Sequence, residues 1–236
     1  RAGCPATVAG TTVNRFCSSG LQTIALAAQR IVSGEDGVYV AGGVECISTV
    51  QPNRNQHMVR DSWTVEHKPE LYLPMLDTAE IVARRYGIGR DRMDEYGVRS
   101  QVRACAADAV GNFKQEIVAT PATMAVVGDD GRFATRDVVV ERDEGLRADT
   151  TLEGVSKIRA AQPGGLVAAG NASQFSDGAG ACVLMSAKEA ARRKVTPLGV
   201  FRGFAIAGCE PDEMGIGPVF AVPKLLKRAG LTMQDI

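Results

Sequence analysis

The chain has 236 residues, of which 45% are hydrophobic, and its 27 Lys and Arg residues balance its 27 Asp and Glu residues. A chain of this length can bury enough surface to fold without disulfides or a structural metal. A net charge of zero argues against nucleic acid as the main partner, because phosphate binding requires a basic surface. No run of about 18 apolar residues is present, so the sequence predicts no membrane span.

The six cysteines are scattered, without a C-x-x-C pair and without a histidine at metal-ligand spacing. This pattern predicts neither a disulfide framework nor a metal site, and it favours a reducing, cytoplasmic setting. The chain begins at Arg1 rather than Met and stops at Ile236 soon after a predicted helix. We therefore expect it to be an internal fragment of a longer protein.

The first fifty residues predict a strand, a helix and a second strand. Residues 11–16 predict a short buried strand, and residues 18–33 carry apolar side chains at helical spacing up to Gly34. Residues 38–41 predict another strand, which Gly42 and Gly43 are expected to end. A strand–helix–strand unit of this length predicts a parallel sheet.

The middle of the chain has a different character. Residues 51–74 are polar and aperiodic and predict a long loop. Asp77 and Glu80 have the spacing of a capping box for a helix that ends at Tyr86. A long helix is expected at residues 91–110. A hairpin is expected further on, with strands at residues 124–127 and 133–140. The acidic turn of that hairpin, Gly128-Asp129-Asp130-Gly131, has too few ligands for calcium and is interpreted as a turn.

The last part returns to small residues and short elements. The expected elements are a strand at 179–185, a helix at 187–193, a strand at 198–206 and a helix at 217–229 before Gly230. The pattern as a whole predicts an α/β core, residues 1–50 and 166–236, interrupted by a mixed insertion, residues 51–165.

Cys17 is the strongest candidate for chemistry. It stands where a predicted strand meets a predicted helix, and small residues follow it. The positive end of a helix macrodipole favours a thiolate, and the edge of a sheet is where ligands bind. A buried structural cysteine is an equally good interpretation from the residues alone. Neither His57 nor His67, both in the predicted loop, is a convincing base for it.

Several segments resemble the thiolases, the acetyl-CoA C-acyltransferases, in unbroken order along the whole chain. Two resemble the nucleophile region, and the others resemble the loop domain, the coenzyme A (CoA) channel and the start of the second core half. These segments are 13–22 (VNRFCSSGLQ), 41–45 (AGGVE), 143–147 (DEGLR), 150–153 (TTLE), 170–179 (GNASQFSDGA), 214–219 (MGIGPV) and 227–231 (KRAGL).

The resemblance implies a layered α/β core, with a mixed sheet and covering helices, interrupted by an α+β loop domain. Residues 1–50 would be the incomplete N-terminal core half, and residues 51–165 the CoA-binding loop domain. Residues 166–236 would end the N-terminal half and begin an incomplete C-terminal half. The family also implies a homodimer or homotetramer, CoA as a substrate and no permanently bound cofactor.

The resemblance also assigns roles to particular residues. Cys17 would be the nucleophile, and its N–H would contribute to an oxyanion hole. The positions that match CoA-contacting residues are Arg147 near the nucleotide, Ala169 and Ser173 along the pantetheine arm, and Phe175 and Met75 beside that arm and the acyl end. Pro74 departs from the family, because many members have histidine there. The family's histidine base and second cysteine match no position in the chain and are expected beyond Ile236.

The implied activity is acyl transfer between CoA thioesters through an acyl-cysteine. The reaction would be cleavage of a 3-ketoacyl-CoA by CoA, or the reverse condensation of acetyl-CoA, both steps of fatty acid metabolism. Two alternatives remain: a non-catalytic thiolase-like protein that binds acyl-CoA or lipid, and a condensing enzyme of the ketoacyl synthase type. The long insertion argues against the second alternative, since carrier-bound substrates bring no nucleotide to hold.

Overall fold

The computed structural model of the chain describes residues 2–128 and 130–236. Its α-helices are α1 (Ser19–Val32), α2 (Ile47–Val50), α3 (Ser62–His67), α4 (Met75–Arg85), α5 (Arg90–Ala109), α6 (Leu152–Ser156), α7 (Ala187–Arg193) and α8 (Gly217–Ala229). Its strands are β1 (Val38–Glu45), β2 (Thr120–Val127), β3 (Phe133–Val140) and β4 (Gly178–Met185). Short 3₁₀ helices cover Gln51–Asn53, Pro69–Tyr72, Pro211–Ile216 and Met233–Asp235.

The chain divides into two compact units. The first unit consists of Arg1–Pro69, Phe175–Glu210 and Ile216–Ile236. The second unit consists of Glu70–Gln174 and Pro211–Gly215. Among the described residues, no helix combines the length and the apolar composition that a membrane crossing requires.

The first unit is built on an antiparallel pair of strands covered by α1. β1 and β4 pair from Val38 opposite Met185 to Glu45 opposite Gly178. The residues that α1 buries are all alanines: Ala25, Ala27 and Ala28. Small side chains let the helix lie close to the strands, where Ala41 of β1 is also buried.

The strand pairing corrects three expectations from the sequence. The sequence predicted a parallel pairing, but β1 pairs with β4 in the antiparallel sense. Residues 11–16 form no strand, because within residues 2–128 and 130–236 no other strand pairs with them and only an isolated bridge joins Arg15 and Cys17. β1 does not end at its two glycines, since they continue the ladder opposite Ala181 and Gly180.

The predicted strand at residues 198–206 is also absent from the structure. Two of its backbone carbonyls accept hydrogen bonds from side chains of α8 instead of from a neighbouring strand. Arg228 Nη1 donates to the Phe204 carbonyl at 3.3 Å, and Lys224 Nζ donates to the Ile206 carbonyl at 3.0 Å. Side-chain donors therefore satisfy backbone groups that the sequence pattern had assigned to a sheet.

The second unit is organised by two buried carboxylates. Glu80 of α4 is 3% exposed, and its Oε1 accepts from the backbone N–H groups of Leu166 and Val167 at 2.7 and 2.8 Å. Asp94 of α5 is 1% exposed and accepts from Arg90 Nε at 2.8 Å and from Asn171 Nδ2 at 2.8 Å. Both helices are thus joined by charge-assisted hydrogen bonds to the segment that follows α6.

These contacts also show that the predicted capping box is wrong. α4 begins after Pro74, which makes no side-chain cap, so Asp77 and Glu80 lie inside the helix. Asp77 Oδ1 accepts from Gln162 Nε2 at 2.6 Å, and Glu80 binds the backbone that follows Gly165. The two carboxylates have capping-box spacing, but they bind residues more than eighty positions away.

The remaining elements follow the sequence more closely. β2 and β3 form the predicted hairpin, pairing from Thr120 opposite Val140 to Val127 opposite Phe133. Asp129 of its predicted acidic turn lies outside the described residues. The expected loop at 51–74 instead contains α3 and short 3₁₀ helices, and the Asp61 side chain caps α3 by accepting from the Thr64 N–H at 2.8 Å. The predicted helices at 18–33, 91–110, 187–193 and 217–229 are confirmed as α1, α5, α7 and α8.

The first prediction concerns the buried carboxylate of α5. Asp94→Asn removes the charge that pairs with Arg90, and we expect it to lower the free energy of unfolding by about 3 kcal/mol or more, because breaking a buried pair leaves its partner uncompensated. Glu95→Gln, at an exposed position on the same helix, is the control and should change it by no more than about 0.5 kcal/mol. Urea unfolding measures both, and equal effects would show that Asp94 anchors nothing.

Candidate active site

Cys17 lies at the entrance to α1, one position before its N-cap residue Ser18, and its side chain is exposed. A tight turn brings it there. The Asn14 side chain accepts from the Phe16 N–H at 2.8 Å, and Phe16 has a left-handed φ of +48°. Ser19 Oγ donates to the Phe16 carbonyl at 2.6 Å and accepts from the Arg15 N–H at 2.8 Å. The thiol therefore projects from a constrained turn rather than from apolar packing.

The start of α1 is fixed against β1 by close backbone contacts. Thr23 Oγ1 donates to the Gly42 carbonyl at 3.0 Å. A Cβ on Gly43 would lie 3.3 Å from Gly20 Cα, which is tighter than most real contacts. The close approach of β1 to the start of α1, the helix that follows Cys17, thus depends on the absence of a side chain at Gly43.

A second cluster in the first unit joins the start of α2 to the residue that precedes β4. Asp177 accepts from the Ser48 N–H at 3.0 Å and from the Ser48 hydroxyl, and the Cys46 thiol lies 3.6 Å from its Oδ2. The hydrogen bonds from the Ser48 hydroxyl, and then from its N–H, lower the pKa of Asp177 from its ordinary 3.8. Phe175, two residues before this carboxylate, is 70% exposed.

In the second unit, Asn171 holds the segment that carries Ala169 and Ser173. Its Oδ1 accepts from the Ala168 N–H at 2.9 Å, and its Nδ2 donates to Asp94 Oδ1 at 2.8 Å and to the Leu166 carbonyl at 3.1 Å. Ala168 is buried, whereas Ala169 and Ser173 are exposed. The anchored loop therefore presents both candidate residues to solvent.

Arg147 is held by its backbone and exposed at its side chain. Its N–H donates to Gln101 Oε1 at 3.1 Å, and Gln101 Nε2 donates to the Gly145 carbonyl at 3.1 Å. Within residues 2–128 and 130–236, no carboxylate pairs with its guanidinium. A free guanidinium on a fixed backbone is suited to binding an anion such as a phosphate.

Met75 opens α4 and lines an apolar cavity of about 320 Å³. The other lining residues include Ala79, Val82, Ile88, Met93 and Met214. The 3₁₀ segment that carries Met214 is joined to α4 by ion pairs of Arg85 with Asp212 and Glu213, each at 2.6 Å. These hydrogen bonds, first to Asp212 and then to Glu213, raise the pKa of Arg85.

The candidate residues are thus shared between the two units. Cys17 and Phe175 belong to the first unit, and Met75, Arg147, Ala169 and Ser173 belong to the second. Three residues that hold the candidate residues in place were not predicted from the sequence: Thr23, Gln101 and Asn171. Asn171 alone had a signal in the sequence, because it stands in the segment that resembles the CoA channel. No group of three or more potential metal ligands occurs in the part of the chain that the structure describes.

Comparison with known proteins identifies the family. Residues 1–188 match the thiolase N-terminal domain, and residues 195–236 match the thiolase C-terminal domain. The chain belongs to the thiolase family. The resemblance and the α/β fold class predicted from the sequence are therefore confirmed.

Individual thiolases agree with this assignment. The chain is 45% identical to a 3-ketoacyl-CoA thiolase of Bacillus subtilis, over 100% of this chain and 60% of the relative. It is 38% identical to an acetyl-CoA acetyltransferase of Chromobacterium violaceum, over 100% of this chain and 61% of the relative. The dimeric peroxisomal thiolase of Saccharomyces cerevisiae superposes with a TM-score of 0.80 at 33% identity, over 95% of this chain and 55% of that chain. The chain thus spans less than two thirds of each of these relatives.

The second prediction tests the close packing of β1 against β4, the strand pair that α1 covers. A Cβ on Gly42 would lie 2.6 Å from the Gly180 carbonyl oxygen, so Gly42→Ala forces the backbone to move. We expect it to lower the free energy of unfolding by about 1–3 kcal/mol. Gly180→Ala, on the paired strand with open space around it, should change it by no more than about 1 kcal/mol. Equal thermal unfolding of the two variants would contradict this account.

The third prediction concerns the pH dependence of the Asp177 contact. Because its pKa is lowered in the folded chain, the contact contributes stability that is fully present above the ordinary value of 3.8 and is lost as the pH falls through the lower folded value. The stability difference between the native chain and Asp177→Asn should therefore shrink on acidification below about pH 4. Thermal unfolding across this range measures it, with Asp36→Asn as a surface control. A difference that stays constant would refute the contact's role.

Proposed function

We propose that this chain carries the nucleophile half of a thiolase, which transfers acyl groups between CoA thioesters through an acyl-Cys17 intermediate. The observation that carries the proposal is the exposed Cys17 thiol at the start of α1, in a chain of the thiolase family. A covalent nucleophile of this kind divides one difficult carbon–carbon cleavage into two easier steps.

In the degradative direction, the Cys17 sulfur attacks the keto carbon of a 3-ketoacyl-CoA. The bond between the α-carbon and that carbon breaks, the electron pair passes to the enolate of acetyl-CoA, and protonation releases acetyl-CoA. The sulfur of a second CoA then attacks the acyl-Cys17 thioester and frees the enzyme thiol. The reverse sequence condenses acetyl-CoA with an acyl-CoA, which is a second acetyl-CoA where the acyl group is acetyl.

The entrance to α1 supports this chemistry in two ways. The N-terminal end of a helix stabilises negative charge that develops on a bound substrate during the reaction. Among the described residues, no hydrogen bond engages the Cys17 N–H, so this donor is open to a substrate oxygen. A preorganised donor of this kind typically contributes about 3–4 kcal/mol to the transition state.

The five residues that match CoA-contacting positions would bind CoA. Arg147 would bind the nucleotide phosphates, Ala169 and Ser173 would contact the pantetheine arm, and Met75 and Phe175 would lie beside that arm and the acyl end. Supporting features are the unpaired guanidinium, the anchored loop that exposes Ala169 and Ser173, and the apolar cavity at Met75. The domain division that we propose remains residues 1–50, 51–165 and 166–236.

The complete mechanism also needs a base and an acid. The resemblance assigns these roles to a histidine and a second cysteine, and neither matches a position in residues 1–236. We propose that the working enzyme is a homodimer or homotetramer, supported by the yeast relative that is described as dimeric. The scattered free cysteines support a cytoplasmic setting.

The fourth prediction tests the nucleophile in the full-length protein. Iodoacetamide should label Cys17 ahead of the other five cysteines, and incubation with acetyl-CoA should leave an acetyl group on Cys17, both read by peptide mass spectrometry. Cys17→Ser should lower kcat by roughly 10⁴-fold or more. Cys4→Ser, which changes another exposed thiol, should leave kcat unchanged.

The same experiment separates the alternatives. A protein that binds CoA tightly, yet forms no acetyl adduct and exchanges no label between CoA and acetyl-CoA, would be a non-catalytic acyl-CoA-binding relative. Equal labelling of all six cysteines, with unchanged activity in Cys17→Ser, would overturn the proposed function.

A further inference from the structure

We propose that Arg85 is a positioning residue: through Asp212 and Glu213 it holds the 3₁₀ segment Pro211–Ile216 against the C-terminal end of α4. In this position Met214 forms one wall of the apolar cavity lined by Met75, and the wall sets how strongly the site distinguishes acyl chains of different length. This inference rests on the proposed function, which brings an acyl group to Met75.

The contact is a clamp in which the guanidinium of Arg85 pairs with the carboxylates of Asp212 and Glu213. Arg85 Nη2 lies 2.6 Å from Asp212 Oδ2, and Nη1 lies 2.6 Å from Glu213 Oε2. The Tyr86 hydroxyl donates to the same Glu213 oxygen at 3.0 Å. Because a guanidinium is planar and its two terminal nitrogens point in fixed directions, one arginine orients both carboxylates together.

The segment that the clamp holds is a short excursion of the chain into the second unit. Glu210 and Ile216 belong to the first unit, whereas the five residues between them, Pro211–Gly215, belong to the second. The helical conformation of the segment is interrupted at Glu213, which has φ −124° and ψ 32°. A short segment with an interrupted helix is poorly fixed by its own backbone bonds, so contacts with α4 contribute to its position.

The clamped residues are next to the cavity wall. Met214 directly follows Glu213, and both Met214 and Gly215 line the cavity, which α4 lines from its other side with Met75, Ala79 and Val82. The paired carboxylates are only 21% and 15% exposed, so solvent screens them less than it screens a fully exposed pair. Loss of the clamp would free Met214 to move, and a moving wall loses close contacts with an alkyl chain.

The test measures how affinity depends on alkyl length, without turnover. S-Ethyl-, S-butyl- and S-octyl-CoA are thioethers that cannot donate an acyl group, and isothermal titration calorimetry gives their Kd values for the full-length protein. In Arg85→Gln we expect the ratio of the S-ethyl-CoA Kd to the S-octyl-CoA Kd to fall by about 4- to 15-fold, the worth of one to two buried methylene groups. Arg85→Lys, which can pair with one carboxylate, should recover part of the ratio.

Two further variants keep the test decisive. Asp212→Asn combined with Glu213→Gln removes the clamp from its other side and should reduce the ratio to the same extent, which decides the matter if Arg85→Gln fails to fold. Arg30→Gln is the matched control, because Arg30 also lies in the last turn of a helix and pairs with Glu35 at 2.6 Å. It should leave the ratio unchanged.

The outcomes for the inference and for the proposed function are distinguishable. An unchanged ratio in both clamp variants, in an enzyme that still cleaves acetoacetyl-CoA, overturns the role of Arg85 and leaves the proposed function standing. A reduced ratio in a protein that cleaves no 3-ketoacyl-CoA supports the clamp and overturns the proposed function. If the native protein binds the three S-alkyl-CoA thioethers with equal affinity, the cavity does not distinguish chain lengths and the inference is overturned.

Discussion

Two buried carboxylates, Glu80 and Asp94, determine where the candidate CoA-binding segment lies. Each projects from a helix and binds donors of residues 166–171, Glu80 through two backbone N–H groups and Asp94 through Asn171. A buried carboxylate is costly unless its hydrogen bonds are satisfied, and here each has several donors. The exposed positions of Ala169 and Ser173 follow from this anchorage rather than from any preference of their own side chains.

In the first unit, two glycines fix the position of the elements, because they have no side chain and allow close backbone contacts. Gly42 lies against the opposite strand and Gly43 against the start of α1. The backbone of the helix that follows Cys17 therefore lies directly against the backbone of β1, with no side chain between them. Thr23 then adds a side-chain hydrogen bond to the Gly42 carbonyl. The second unit is fixed by charge in buried surroundings, whereas this part of the first unit is fixed by close steric fit.

The features that the sequence predicts well are local. α1 and α8 have apolar patterns that lie within the helix itself, and their observed ends fall within about a residue of prediction. Pairing of β1 with β4 joins residues about 140 positions apart, and alternation along one strand carries no information about its partner or its direction. Asp77 and Glu80 show the same limit, since their spacing fits a cap while their hydrogen bonds reach residues 162–167.

The candidate site shows the same division between local and distant information. The place of Cys17 before a helix could be predicted, because the helix pattern begins directly after it. The support of Arg147 by Gln101 could not, because the two residues are 46 positions apart and a single glutamine in a long helix gives no signal of its partner. The family resemblance supplied candidate residues, and the structure supplies the groups that hold them.

The difference between the two kinds of anchor has a consequence for ionic strength. Glu80 is buried and accepts from two backbone N–H groups at 2.7 and 2.8 Å, which are shorter than its 3.5 Å contact with Arg84, so dissolved ions affect its anchorage little. Arg85, by contrast, is 42% exposed and is held by two opposite charges, which counterions weaken. Concentrated salt should therefore loosen the 3₁₀ segment around Met214, which lines the cavity, while the loop around Asn171 keeps its position.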